Sequence, residues 1–334
     1  MTGPVAVLGA GNWGTTLAHL AAENGHAVRL WTRESATCAS INDAHRNRPA
    51  VGDLAIHPGV VATTDLAACV GGASLVLVVI PAQAFRQVAR ALGEHLSPSQ
   101  VVVHATKGIE LGTHARMSEI LAAETCAKTI GVLSGPNIAG EIARGEPAGT
   151  VVASRFPRAI AAARSALGSP RFMIFRADDV IGVEIAGALK NVVALAAGMA
   201  VGMGLGENVK AFLVARGLAE ISAVAAAMGA KPATLAGIAG VGDLIVTCAS
   251  RESRNHRVGA ALAKGSTLRE VLDSLGMVAE GVSTTTAATE LARQFGVETP
   301  LFERVRRVLY EDLPPRAALA ELLALRPGRD VAWG

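Results

Sequence analysis

The chain has 334 residues, 51% of them hydrophobic, which is enough for one large core or two medium ones, and the usual size of domains favours two. Its 31 basic residues nearly balance its 28 acidic ones, and it has one tyrosine and three tryptophans. This composition argues against nucleic acid as a partner. The four cysteines form no CxxC pair and no cluster with histidine, which predicts no disulfide framework and no metal site and favours a reducing, cytoplasmic compartment.

Neither the N-terminus nor the most apolar stretch predicts a membrane segment. The first apolar run has no basic region before it and is soon broken by glycines, unlike a signal peptide. The apolar window 180–206 contains Glu184 and Lys190, each of which costs about 3 kcal/mol at the centre of a bilayer. We interpret this window as a buried helix and expect no stable membrane insertion.

The N-terminal residues predict a strand, a glycine turn, a helix and a second strand. A short apolar run over residues 5–8 leads into the letters GAGNWG at residues 9–14, a helix is predicted over 15–24, and a second strand over 27–31. This order fits one βαβ unit of about 30 residues, the context that the GxGxxG pattern requires.

The glycine turn predicts a dinucleotide site. Gly9 permits the tight turn, Gly11 lets the backbone approach a diphosphate, and Gly14 lets the helix pack on the strand. Asn12 and Trp13 begin the helix, whose free N–H groups and dipole favour an anion.

The end of the second predicted strand bears on the choice of cofactor. An NAD site of this type usually presents a carboxylate there, but this chain has Arg33. A guanidinium binds a 2′-phosphate well, which favours NADP(H) and leaves NAD(H) as the alternative. The other interpretation of Arg33 is a solvated residue at the end of a strand.

Further short apolar runs alternate with helical segments through residue 177. Strands are predicted at residues 75–80, 101–104, 130–133, 150–153 and 171–176, with helices such as 83–96 and 117–127 between them. This alternation predicts an α/β Rossmann-type domain over 1–177, with a mostly parallel, doubly wound sheet. Ligands collect at the carboxyl ends of such strands, where Lys107 is either a ligand contact or a surface lysine beside a turn.

From residue 178 to 334 the periodicity is helical, which predicts an all-α second domain. Helices are predicted at residues 179–198, 208–228, 254–264, 268–275, 283–294, 300–310 and 317–325, with a turn over the glycine-rich residues 198–206.

Lys190 lies in the middle of the first of these helices, in a run that a protein would normally bury. Residues on or near its face are mostly small, which would let another element or a ligand approach closely: Val183, Gly187, Ala194, Ala197 and Val201. Lysine is almost never fully buried without a partner. One interpretation is a lysine whose ammonium reaches water along its stem; the other is a functional lysine.

Two polar segments follow between the helices. Asp243 lies in a glycine-rich stretch, predicted as a loop, and Ser253, Arg254 and Asn255 stand at a helix start. Hydroxyl, amide and guanidinium donors at a helix start suit a small phosphorylated substrate. The alternative is a capped helix with a solvated basic first turn, although cations there oppose the helix dipole.

Seven motifs together resemble one family over nearly the whole chain. They are GAGNWG (9–14), ATKG (105–108), SGPN (134–137), LKNV (189–192), GVGDL (240–244), SRN (253–255) and VAEG (278–281). Their order and spacing are similar to those of bacterial NAD(P)-dependent glycerol-3-phosphate dehydrogenase. The resemblance implies reduction of dihydroxyacetone phosphate to sn-glycerol 3-phosphate for glycerophospholipid synthesis. We separately expect a homodimer formed through the helical domain.

The resemblance also implies roles for individual residues. Lys190 corresponds to the general acid and base, with Lys107 and Asp243 beside the substrate, and Arg254 and Asn255 grip the phosphate. Dinucleotide contacts fall on Trp13, Arg33, Lys107, Ala139, Arg254, Val278 and Glu280, and further substrate contacts on Gly135, Asn137 and Ser253. The chain departs from the family pattern in the linker 48–58, which lacks a tyrosine, at Asn137-Ile138, and at His256.

Two other functions remain open at this point. A related reductase of another small oxo or hydroxy acid would need a carboxylate site in place of the SRN segment. A sensor that binds NADPH without turnover would have no need of Lys107, Lys190 and Asp243 together.

Overall fold

The computed structural model describes residues 3–250, 252–275 and 279–326. The chain packs as two compact units, of which unit 1 comprises Met1–Lys107 and Ala115–Val183, and unit 2 comprises Gly108–His114 and Glu184–Gly334. The observed division therefore falls inside a helix, whereas the boundary expected from the sequence lies between residues 177 and 178.

Unit 1 is built on one eight-stranded sheet. Its strands are β1 (Val5–Leu8), β2 (Val28–Trp31), β3 (Val60–Thr63), β4 (Leu75–Val78), β5 (Val101–His104), β6 (Thr129–Ser134), β7 (Ala148–Ala153) and β8 (Phe172–Ala177). They lie in the order β3-β2-β1-β4-β5-β6-β7-β8, and all neighbours are parallel except β6 and β7. The first six follow the order of a Rossmann fold, which confirms the predicted fold class.

Helices cover both faces of this sheet. They are α1 (Asn12–Glu23), α2 (Ser35–Ala44), α3 (Arg48–Val51), α4 (Leu66–Val70), α5 (Ala82–Gly93), α6 (Met117–Glu124), α7 (Ala139–Ala143) and α8 (Pro157–Leu167). Alternate residues of β1 enter two separate cores: Val5 and Val7 pack with Leu17 of α1, whereas Leu8 packs with Phe85 of α5. The sheet is buried on both faces, as parallel sheets require.

Strand β3 was not predicted from the sequence. It is four residues long, it lies at the edge of the sheet, and Val61 in it is 57% exposed. A run this short carries too little periodicity, and its strand conformation comes from pairing with β2 through the register Val28 with Val60.

From residue 184 onwards, unit 2 is helical in its described part, as predicted. Its helices are α9 (Val180–Gly202, which begins in unit 1), α10 (Glu207–Ala227), α11 (Pro232–Leu235), α12 (Asp243–Ala249), α13 (Arg254–Ala263), α14 (Leu268–Leu275), α15 (Glu280–Gln294), α16 (Pro300–Tyr310) and α17 (Pro315–Leu323).

Helix α9 continues through Gly202, so the turn predicted from residue 198 is wrong in its first part. Gly198 and Gly202 serve packing instead: a Cβ on Gly198 would lie 2.0 Å from the carbonyl oxygen of His256, and one on Gly202 would lie 2.4 Å from that of Ala260. Helix α13 therefore approaches α9 closely at these two glycines.

The segment before Asp243 is also not the predicted loop. Residues Ile238–Gly242 form a π-helical turn, and Asp243 begins α12. A Cβ on Gly240 would lie 2.2 Å from the carbonyl oxygen of Leu235, so the glycine allows this turn to pack against α11. Asp243 consequently stands on a helix, which gives its side chain a defined direction.

Two apolar stretches are long enough to cross a membrane, but neither is a convincing span. In α9, 89% of the most apolar window is buried inside the protein, as in the core helix of a globular fold. The stretch Pro232–Ala249 is 33% buried and includes the π-helical turn.

Candidate active site

The glycine loop between β1 and α1 has the geometry that its sequence predicts. Gly9 has a φ of +109°, and a Cβ there would lie 2.4 Å from the carbonyl oxygen of Val79. A Cβ on Gly14 would lie 1.9 Å from the carbonyl oxygen of Gly9, which leaves room for glycine alone. Gly11 has no neighbouring atom within 4 Å of its Cβ position, so a ligand can come close to the backbone.

The other predicted unit 1 residues follow strands at the same edge of the sheet. Arg33 is exposed two residues beyond β2, Ala139 begins α7, and Trp13 packs edge to face on Phe172 at 6.1 Å between ring centroids. Lys107 follows β5 and donates from Nζ to the carbonyl oxygen of Gly135 at 2.9 Å. Since β5 and β6 are parallel, this bond joins the loops at their carboxyl ends.

Asn137 lies beside Gly135 and contains a buried acceptor. Its Nδ2 donates to Oγ1 of Thr150 at 2.9 Å, and Thr150 Oγ1 donates to the carbonyl oxygen of Ser134 at 3.1 Å. Asn137 Oδ1 is buried and accepts no hydrogen bond in the part of the chain that the structure describes. A buried acceptor of this kind is costly unless a ligand hydroxyl or amide donates to it.

Lys190 is held in unit 2 by two acceptors on α12. Its Nζ donates to Asp243 Oδ1 and, at 2.5 Å, to Thr247 Oγ1. Lys190 is 5% exposed and Asp243 0%, so the interpretation of a lysine reaching water is wrong. Thr247 Oγ1 in turn donates to the carbonyl oxygen of Asp243 at 2.6 Å, one helical turn back.

Cys248 neighbours this pair but is poorly suited to nucleophilic chemistry. Burial raises the pKa of its thiol to about 12, although the nearby Lys190 ammonium opposes the rise. The thiol is therefore neutral near pH 7, and only a thiolate is a good nucleophile.

Asn255 connects the middle of α9 with the first turns of α13 and α15. Its Nδ2 donates to Asn191 Oδ1 at 3.0 Å, next to Lys190, and its Oδ1 accepts from the backbone N–H of Gly281 at 2.9 Å. A Cβ on Gly281 would lie 2.7 Å from both the Asn191 carbonyl oxygen and Asn255 Oδ1. The amide predicted to grip phosphate is thus also a structural connection between α9, α13 and α15.

The start of α13 carries the remaining predicted contacts. Ser253 is the N-cap, and its Oγ accepts from the backbone N–H of His256 at 3.3 Å, so the capping interpretation is correct for this serine. Arg254 is the first residue of the helix and is exposed. Desolvation by its neighbours lowers the pKa of Arg254, and the carboxylate of Glu280 opposes this change; arginine remains charged in any case.

The structure thus groups the predicted residues within each unit. Unit 1 holds Gly9, Gly11, Asn12, Trp13, Gly14, Arg33, Lys107, Gly135, Asn137 and Ala139, and unit 2 holds Lys190, Asp243, Ser253, Arg254, Asn255 and Glu280. Val278 lies outside the described residues. Sequence reasoning assigned no role to Thr247 or Asn191. The spacing of four between Asp243 and Thr247 would have indicated one helix face, had the helix been predicted.

Unit 1 fits a dinucleotide on structural grounds. The open space at Gly11, the absence of room at Gly9 and Gly14 for a side chain, and the start of α1 match the features of a diphosphate site in a Rossmann fold. No group of three or more histidine, cysteine or acidic side chains suited to a metal occurs among residues 3–250, 252–275 and 279–326.

Comparison with known proteins finds one family whose two models match the N-terminal and C-terminal parts of the chain. The family model described as NAD-dependent glycerol-3-phosphate dehydrogenase N-terminus matches residues 4–159, and the corresponding C-terminus model matches residues 179–320. The chain belongs to the glycerol-3-phosphate dehydrogenase family.

Individual members of the family align with nearly the whole chain. Glycerol-3-phosphate dehydrogenase [NAD(P)+] of Enterococcus faecalis is 46% identical over 97% of this chain and 96% of that protein. The protein of the same name from Moorella thermoacetica is 44% identical over 99% and 98%. The crystal structure of glycerol-3-phosphate dehydrogenase from Coxiella burnetii superposes with a TM-score of 0.93 at 35% identity, covering 97% of this chain and 99% of that one. As a member of this family the chain is an oxidoreductase that uses a nicotinamide dinucleotide.

Proposed function

We propose that this chain catalyses the reversible NAD(P)H-dependent reduction of dihydroxyacetone phosphate to sn-glycerol 3-phosphate, which supplies the backbone for glycerophospholipid synthesis. The observation that carries the proposal is the buried Lys190 ammonium, held by Asp243 and Thr247 on α12. A buried cation with two fixed acceptors has a defined position, as a proton donor to a ketone oxygen requires.

Lys190 is the proposed general acid. Its ammonium hydrogen-bonds the ketone oxygen, stabilises the alkoxide that develops during reduction, and then gives it a proton. Asp243 and Thr247 orient the ammonium and are not themselves consumed. In the reverse direction the neutral amine accepts the proton from the alcohol, as microscopic reversibility demands.

The proposed phosphate site is the start of α13. The positive end of the helix dipole and the guanidinium of Arg254 both favour a dianionic phosphate. Asn255 and Ser253 contribute polar groups that already hold the helix start in place. Lys107 and the buried acceptor Asn137 Oδ1 are assigned to the substrate as well, on unit 1.

The dinucleotide is assigned to unit 1, with its diphosphate at Gly9 to Gly14. When bound, the nicotinamide supplies the hydride. Arg33 is exposed two residues beyond β2, at the position where an NAD site usually presents a carboxylate, and a guanidinium there would bind a 2′-phosphate, which supports NADP(H) over NAD(H). Further proposed dinucleotide contacts are Trp13, Ala139, Lys107, Arg254, Glu280 and Val278.

We also propose a cytoplasmic homodimer formed through the helical unit. The cysteine usage supports the compartment, because all four cysteines are free in the described structure. Two observations disfavour the other functions considered above. The guanidinium and the helix dipole at the start of α13 favour a dianionic phosphate over the single charge of an oxo acid carboxylate. A sensor without turnover has no use for the oriented Lys190.

Initial rates of NADPH and NADH oxidation with dihydroxyacetone phosphate test the proposal directly. We expect turnover with both cofactors and a higher kcat/KM with NADPH. Unphosphorylated dihydroxyacetone is the matched control, because it has the same ketone and lacks only the phosphate. Equal activity on both ketones would contradict the proposed phosphate site, and binding of NADPH without oxidation by any ketone would favour the sensor.

A further inference from the structure

Asn47 occupies the N-cap position of α3, yet its side chain does not cap that helix. It is 3% exposed, and its Nδ2 donates to the carbonyl oxygen of Ala10 and to Thr15 Oγ1, both at 2.9 Å. An asparagine at an N-cap usually accepts a hydrogen bond from the second or third residue of its own helix. Here the amide donates to the glycine loop instead.

The turn of α3 is closed by backbone hydrogen bonds. The carbonyl oxygen of Asn47 accepts from the N–H groups of Ala50 and Val51 at 3.0 and 2.9 Å, and that of Arg48 accepts from Gly52 at 3.0 Å. These bonds do not involve the Asn47 side chain. Its two side-chain bonds therefore act on the loop rather than on its own helix.

The bond to the carbonyl oxygen of Ala10 determines the direction of the Gly11 N–H, which belongs to the same peptide group. In a planar trans peptide the C=O of Ala10 and the N–H of Gly11 point in opposite directions. Since Asn47 anchors the carbonyl on one side, the Gly11 N–H points to the other. The bond to Thr15 ties the same side chain to the first turn of α1, whose N–H groups have no acceptor within the helix.

We infer that Asn47 is a positioning residue for the dinucleotide, which holds the Ala10–Gly11 peptide so that its N–H is directed at the diphosphate. The inference rests on the proposed dinucleotide site. The loop is then held at three places: Gly9 against Val79, Gly14 against Gly9, and Ala10 by Asn47. Orienting donors before the ligand arrives lowers the free-energy cost of binding.

The test compares Asn47→Ala with Asn42→Ala in the full chain. Asn42 is the control: it is an exposed asparagine of the same unit whose side chain bonds the carbonyl oxygen and N–H of Ala62 at 3.0 and 2.8 Å, away from the glycine loop. We expect the Kd of NADPH, measured by fluorescence titration, to rise about tenfold in Asn47→Ala, as for loss of one net hydrogen bond. The KM of dihydroxyacetone phosphate and kcat at saturating NADPH should change less than about twofold, as should the Kd of NADPH in Asn42→Ala.

A fragment without the diphosphate separates a local effect from general damage. Adenosine 2′-monophosphate, measured as a competitive inhibitor, should bind Asn47→Ala and wild type equally. Because Asn47→Ala leaves a small cavity, Asn47→Leu is the second variant: it keeps a similar volume, removes both donors, adds no charge, and should show the same selective loss of NADPH binding.

An unchanged Kd of NADPH in both Asn47 variants, or equal losses for NADPH and the fragment, would overturn the inference and leave the proposed function intact. A wild-type protein that binds neither NADPH nor NADH would instead overturn the proposed function, and the inference with it.

Discussion

The ammonium of Lys190 donates a hydrogen bond to Oδ1 of Asp243, and both side chains are almost completely buried. The two residues lie 53 positions apart, on α9 and α12. A buried ion pair is costly to separate, because removing one partner leaves an uncompensated charge away from water. The pair therefore orients the proposed proton donor, and its two members can be tested separately.

Replacing Lys190 by alanine should lower kcat with NADPH and dihydroxyacetone phosphate by about 10²- to 10⁴-fold, the usual contribution of a positioned general acid. The Kd of NADPH should change little. Lys210→Ala is the control, since Lys210 is a lysine of the same unit paired with the exposed Glu207. Near-wild-type turnover of Lys190→Ala would refute the assigned role.

Thr247 gives a subtler test of how the lysine is oriented. Thr247→Val keeps the shape of the side chain but removes the oxygen that accepts from Lys190 Nζ at 2.5 Å. We expect kcat to fall about tenfold, from the loss of one charge-assisted hydrogen bond. Thr247→Ser, which retains the hydroxyl, should recover most of this loss. If the serine and valine variants have the same kcat, the hydroxyl has no orienting role.

Gly198 controls how closely α9 and α13 approach. In Gly198→Ala the new Cβ would lie 2.0 Å from the backbone oxygen of His256, which can move only with its helix. We expect the free energy of unfolding to fall by about 1–3 kcal/mol or more, and the KM of dihydroxyacetone phosphate to rise because α13 carries Arg254.

Urea unfolding and initial rates measure these two effects of Gly198→Ala. Gly206→Ala is the control, because no heavy atom lies within 4 Å of its Cβ position. A Gly198→Ala protein as stable as Gly206→Ala would show that the two helices can separate at little cost.

Glu220 should make stability depend on pH. It is 3% exposed, and burial raises its pKa from 4.5 to about 7, although it accepts backbone hydrogen bonds from Leu301 and Phe302 at the start of α16. The nearby Arg216 and Arg304 also oppose the rise. Between pH 4.5 and about 7 the folded protein therefore holds more protons than the unfolded chain, so this group lowers stability as the pH rises through that window.

The variant Glu220→Gln should lack this dependence. Relative to wild type it should gain about 3 kcal/mol in free energy of unfolding between about pH 5 and about pH 8, because one pKa unit corresponds to about 1.4 kcal/mol. Urea unfolding at the two pH values measures the change. Glu207→Gln, at an exposed position, should show no comparable change. A constant difference between Glu220→Gln and wild type would contradict the prediction.

Local features of the site could be predicted from the sequence because they depend on neighbours in the chain. The glycine loop needs only a strand, a tight turn and a helix within about 30 residues, and Gly9 and Gly14 have the conformation and contacts that this motif predicts. The apolar run around Lys190 likewise predicted a buried helix, because its composition alone makes burial favourable.

Only the tertiary structure decided what Lys190 and Asn47 contact. The acceptors of Lys190 are 53 and 57 positions away, on α12. The glycines before Asp243 had led to the prediction of a loop there. The partners of Asn47 are 37 and 32 positions away, and no sequence pattern predicted either contact. Periodicity reports which face of an element is buried, whereas a hydrogen bond between distant residues depends on how the elements pack, and packing is set by the whole fold.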